Sequence, residues 1–245
     1  MSFRIHEEAG EVLVDQEYDM LEARLREGGR ESVRGRCLDL LSNPETAEES
    51  KPWISTLLGL SELGDRRYEE ALTYCAFGRA APDPYGPKAI AGMAWALMGL
   101  QRGNEAFELL QSGLVQHPNS GPILEALGMF HLGMNHHDEA WSNFVKAYTI
   151  SPLSNTTLSN LVALGCRAER IDELERILST MLEEQPWNLD VRGFLAVVLM
   201  LRGDIEQVRR EFARVSTFAA YTKVSPHVLQ AMKEVMAGLM GSGKV

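Results

Sequence analysis

The chain has 245 residues, of which 45% are apolar, 7% aromatic and 24% charged, so it can close a hydrophobic core and is not compositionally disordered. Lys plus Arg total 24 against 34 Asp plus Glu, a net charge of −10, which leaves no excess positive charge for a polyanion and argues against nucleic acid as a partner. Three widely spaced cysteines, Cys37, Cys75 and Cys166, fit neither a disulfide framework nor a cysteine zinc site and point to a reducing compartment, so the expected location is cytoplasmic.

The N-terminus turns acidic before any apolar stretch long enough for a signal peptide, and no later run approaches the ~20 apolar residues that span a bilayer. Val14, Tyr18, Leu21 and Leu25 form one helical stripe and Val33, Cys37, Leu40 and Leu41 a second, interrupted by Gly28 and Gly29. The first 50 residues carry 13 acidic and 6 basic side chains, and 43–51 is a polar stretch. Residues 1–51 therefore read as an acidic helical cap with a linker, separable from the rest of the chain.

From residue 52 onward a period of 34 organises the chain. Pro118, Pro152 and Pro186 stand 34 residues apart, with Ala106, Ala140 and Leu174 each twelve places before one of them. Leu124, Leu127 and Phe130 run down one helix and Ala140, Phe144 and Ala147 down the next, separated by the polar break 135–138. Each unit is thus two short helices and a turn: 87–120, 121–154, 155–188 and 189–222, preceded, after one extra residue, by 52–85. Gly128 and Ala140 fall where two helix axes must approach closely. A further amphipathic helix over 225–240 opens on Ser225 and Pro226, and is expected to cap the array within 223–245 ahead of a glycine-rich tail.

This pattern resembles the tetratricopeptide-repeat (TPR) family, with Leu127 and Gly128 standing for its L-G, Ala140 and Phe144 for its A-x3-F, and Pro152 closing the unit. The unit departs from the family where His131 replaces an aromatic residue, and the fifth has Val208 and no closing proline. The resemblance implies an all-α solenoid, a right-handed superhelix of antiparallel helix pairs, whose first helices line a concave groove at their second, fifth, ninth and twelfth places. Those places are Trp53, Thr56, Leu60 and Leu63; Lys88, Ala91, Trp95 and Met98; Glu125, Met129 and Leu132; Ser159, Ala163 and Cys166; and Asp190, Gly193, Val197 and Met200. The lining is strongly apolar and methionine-rich, which suits varied apolar ligands.

Repeats that grip acidic chaperone tails hold a carboxylate with Lys, Asn and Arg, but here those places are Thr56, Leu60, Ala91, Trp95, Glu125 and Ala126. The expected partner is a protein or peptide with an apolar segment, bound by an adaptor or chaperone. A weaker resemblance is to the acidic TPR chaperones of bacterial type III secretion. The alternative is a self-assembling scaffold and homo-oligomer whose N-terminal segment docks into a groove.

Other chemistry finds little support. Gly238 to Lys244 spells GxxxxGK, but an amphipathic helix precedes it and Val245 stands where a Ser or Thr would bind magnesium. His131, His136 and His137 lack the i, i+4 spacing of a helical metal pair. The sequon at Asn155 reads as a helix start. No Ser-His-Asp constellation can be drawn, so no enzyme, cofactor or metal site is expected.

Overall fold

The structure, a computed structural model, describes residues 17–151, 155–167 and 170–219. The start of the first helical stripe, the closing Pro152, the helix expected over 225–240 and the glycine-rich tail lie outside the described residues. All regular structure among the described residues is helical. In order, α1 covers 17–26, α2 Arg30–Ser42, α3 Lys51–Gly64, α4 Tyr68–Gly78, α5 Tyr85–Gly99, α6 Gly103–Gln116, α7 Gly121–Gly133, α8 His137–Ile150, α9 Asn155–Arg167, α10 Ile171–Glu184, α11 Leu189–Arg202 and α12 Ile205–Ala219. The chain divides into two compact units, a first half ending at Met134 and a second beginning at Asn135.

Each 34-residue unit opens on one helix and turns into a second at the same place. The fifteenth residue of four units adopts a left-handed conformation: Arg66 at φ 59°, Gln101 at 63°, Asn135 at 59° and Gly203 at 81°. One residue then leads into the second helix. The twentieth residue, Ala71, Ala106, Ala140, Leu174 or Val208, is 0% exposed in all five units, so the register seen in sequence is a register of burial.

In the first half, α3 pairs with α4 and α5 with α6, and α3, α5 and α7 also pack side by side. Close approach fixes the small residues. A methyl group on Gly59 would strike the Cys75 sulfur and lie 3.0 Å from the Cys75 backbone nitrogen, and one on Gly113 would lie 2.8 Å from Ile90. One core gathers Ile90, Ala94, Ala106, Leu110, Ile123 and Leu127 from α5, α6 and α7. Ser120 starts α7 by accepting a hydrogen bond from the Ile123 amide at 3.3 Å.

The N-terminal hairpin packs on the first repeat. Tyr18, Leu21, Val33 and Cys37 share one core with Trp53, Ile54, Leu57, Leu58 and Ala81. The hairpin also turns as the repeats do: Gly28 is left-handed at φ 88°, two residues before α2 begins. Counted from residue 14 of the sequence, Gly28 is fifteenth and the fully buried Val33 twentieth, so the turn between α1 and α2 falls in the phase of the repeats. Four extra residues, 48–51, precede the next unit and include a short 3₁₀ turn, Glu48–Ser50. Glu62, buried on α3, ties the pair down through ion pairs to Arg34 of α2, at 2.9 Å, and to Arg67 ahead of α4. Ser61 adds a hydrogen bond to the Arg30 carbonyl at 3.0 Å.

In the second half, α9 packs on α8 and α10, and α11 on α10 and α12. Asn188 caps α11 by accepting from the Val191 amide at 3.1 Å. The Trp141 indole donates to Glu173 at 3.1 Å while the Arg170 guanidinium lies over its ring, joining α8 to the start of α10.

Candidate interaction surface

Helical geometry divides each first helix of a unit into faces turned to packed neighbours and a face left over. The eighth and ninth places separate core from surface. At the eighth place Gly59, Ala94, Gly128, Val162 and Ala196 are all buried. At the ninth, a step of about 100° around the helix, Leu60, Trp95, Met129 and Val197 are half-buried and Ala163 is exposed. Every ninth residue is therefore apolar and reaches solvent.

The other expected lining residues divide. Lys88, Met98, Glu125, Leu132, Ser159, Cys166 and Met200 are also partly exposed. Trp95 and Met98 pack against the core that α5, α6 and α7 share. Thr56 and Ala91 are buried. Thr56 donates to the Pro52 carbonyl at 3.0 Å and faces Gly78 of α4, so it belongs to the α3–α4 seam rather than to an open surface.

Trp53 is 5% exposed because α1 covers it. The Tyr18 ring meets the Trp53 ring edge-on with centroids 5.4 Å apart and leans on Tyr85 of α5 at 4.2 Å. Glu22, one turn along α1, pairs with Lys88 at 2.7 Å, and the Lys88 ammonium lies 3.4 Å from the Tyr18 hydroxyl and 5.2 Å from its ring centroid. Burial first, and then the Glu22 carboxylate, push the Tyr18 phenol above its ordinary value. Sequence reading placed Tyr18 on an apolar stripe without its contact to Trp53, and did not single out Glu22 or Tyr85. The signal available was the i, i+4 pairing of an aromatic ring and a carboxylate on the first stripe.

The histidine and cysteines that sequence reading weighed sit in packed surroundings. The His131 ring stands edge-on to Phe107 and Phe130, which stack on each other at 5.0 Å, and so completes an aromatic contact between α6 and α7. Burial raises the thiols of Cys37 and Cys75 to about 12 and that of half-buried Cys166 upward, which makes all three poor nucleophiles at neutral pH. Among the described residues no group of three or more His, Cys, Asp or Glu could hold a metal ion, and no helix is long and apolar enough to cross a membrane.

No family model matches the chain, and no curated protein matches it. Solved structures do. A tetratricopeptide repeat protein from Parabacteroides merdae is 16% identical, with 92% of this chain and 88% of that one covered at a TM-score of 0.50. MamA 41-end from Desulfovibrio magneticus RS-1 is 16% identical over 71% of this chain and 98% of that one, with a TM-score of 0.48. MamA from AMB-1 is 17% identical over 68% and 98%, with a TM-score of 0.43. The first likeness, together with the 34-residue register of helix pairs, shows the TPR-type α-solenoid fold.

Proposed function

We propose that the chain is a non-catalytic protein-interaction scaffold, an adaptor or chaperone, whose inward surface holds an apolar helix or extended peptide of a partner protein. The observation that carries this reading is the ninth place of the repeat. Five apolar residues recur there and reach solvent although the buried eighth place already serves the core. Surplus apolar surface of this kind marks binding sites. Within the first half, Trp95 and Met129 occupy that place on the neighbouring helices α5 and α7, and the aromatic and flexible thioether side chains are suited to anchor an apolar ligand. Glu125 and the acidic N-terminal stretch disfavour a ligand dominated by carboxylates. A narrower form, a secretion-type chaperone, draws support from the acidity and the apolar lining.

The test is affinity capture on the immobilised chain, with the retained proteins identified by mass spectrometry. The reading requires a protein retained by the native chain and by a Lys146→Ala control on the exposed face of α8, but released by Trp95→Ala. Identical retention on all three surfaces rejects it. A self-assembling scaffold is the second reading. It is favoured by the seat of α1 on α3 and α5, and a mass that grows with concentration in light scattering would select it.

A further inference from the structure

The seat of α1 shows which chemistry the inward surface accepts. Two places of that surface, Trp53 and Lys88, are occupied by the chain's own Tyr18 and Glu22, an aromatic ring and a carboxylate one helical turn apart. The Lys88 ammonium is satisfied on the α1 side by Glu22, while further along α5 the surface continues through half-buried Trp95. The fit is incomplete in one respect: the Trp53 indole nitrogen is buried with no acceptor among the described residues. An occupant that brings an acceptor gains what α1 leaves unmade. α1 joins α2 through Gly28 and Gly29, residues without a Cβ about which the helix can turn from its seat.

We propose that α1 is a resident competitor at this end of the surface, and that the partner segment carries an aromatic side chain one turn from a carboxylate, which takes Lys88 from Glu22. This rests on the interaction surface proposed above and names the chemistry of its ligand. Because the resident helix is tethered, it lowers the apparent affinity of any competitor by the fraction of time the seat is closed.

The probe is a fluorescein-labelled peptide spanning residues 17–27 and its form with Gln at position 22, titrated by anisotropy into the full chain and into Glu22→Gln and Lys88→Gln. Glu22→Gln is isosteric, Lys88→Gln removes the ammonium at one atom less in length, and thermal melts verify folding. Glu22→Gln should bind the peptide about tenfold tighter than the native chain, because the resident carboxylate is gone. The Gln-containing peptide should lose that gain, and Lys88→Gln should not distinguish the two peptides. Amide exchange over 17–26 in the native chain should accelerate at saturating peptide. Equal affinity for the native chain and Glu22→Gln, indifference of the peptide carboxylate to Lys88, or unchanged protection of α1 overturns the proposal. If these arms fail while Trp95→Ala still releases a captured partner, only the competitor falls; if they succeed while Trp95→Ala retains every partner, the apolar surface falls instead.

Discussion

Gln101 holds a left-handed backbone conformation at φ 63°, which costs a residue with a Cβ about 1–2 kcal/mol. Gln101→Gly should therefore raise stability, by about 0.5–1 kcal/mol once the freer unfolded chain is counted, seen as a higher midpoint in urea. Gly59 shows the opposite constraint. Its missing side chain lets α3 and α4 touch, with the Ala71 carbonyl oxygen 3.1 Å from where a Cβ would stand, so Gly59→Val should destabilise by about 1–3 kcal/mol in the same assay. The buried acids add a pH dependence. Cys37 and Cys75 rise from 9.0 to about 12, and Tyr148, buried with Asp190 nearby, from 10.0 to about 12. A raised acid contributes stability that is complete below its unfolded value and is lost as pH rises toward the folded one. Melting temperature should thus hold up to about pH 9 and fall steadily toward pH 12; a flat profile across that window would show that these groups titrate freely. At this scale the eighth and twentieth places were legible in sequence because burial there permits few side chains. Thr56 was not, since facing α4 or facing outward differs by a modest turn of the helix that a polar β-branched residue does not announce.

The helix pairs from α3 onward were legible because Pro118, Pro186 and the recurring small residues punctuate them at a fixed interval. The packing of the α1–α2 hairpin on α3 was not legible, for a physical reason. Charge and the polar stretch 43–51 describe its outer surface, whereas its inner residues Leu21, Val33 and Cys37 follow the repeat only after the four-residue insertion is removed. Its role is that of a covering layer. Deleting residues 1–42 would expose Ile54, Leu57 and Leu58, each worth about 1.5–3 kcal/mol when buried, and would leave Glu62 without Arg34. The truncated chain is expected to lose several kcal/mol in the first half and to aggregate or melt early, by calorimetry. A truncated chain as stable as the full one would show that the hairpin is an appendage after all.

Across the whole molecule, the proposed reading divides two properties: a net charge of −10 disfavours acidic ligands, while the ninth-place residues would supply the apolar contact. A repeat array allows such a division, because stacked neighbours bury a continuous core between them and each added helix pair repeats the same exposed positions. The partner's identity was not legible, since apolar residues at the ninth place specify a kind of surface and not a sequence. If the ninth-place side chains serve binding rather than folding, removing one should separate the two properties. The most direct measurement is the dissociation constant of the captured partner segment for the native chain and for Trp95→Ala, by calorimetry, on samples whose thermal melts are compared. Truncating a central tryptophan commonly costs about 2 kcal/mol or more of binding, so about thirtyfold weaker affinity is expected from a variant that still folds cooperatively, its melting temperature lowered only by the packing that a half-buried ring gives up. A collapsed melting temperature, or unaltered affinity in a folded variant, would contradict this division of roles.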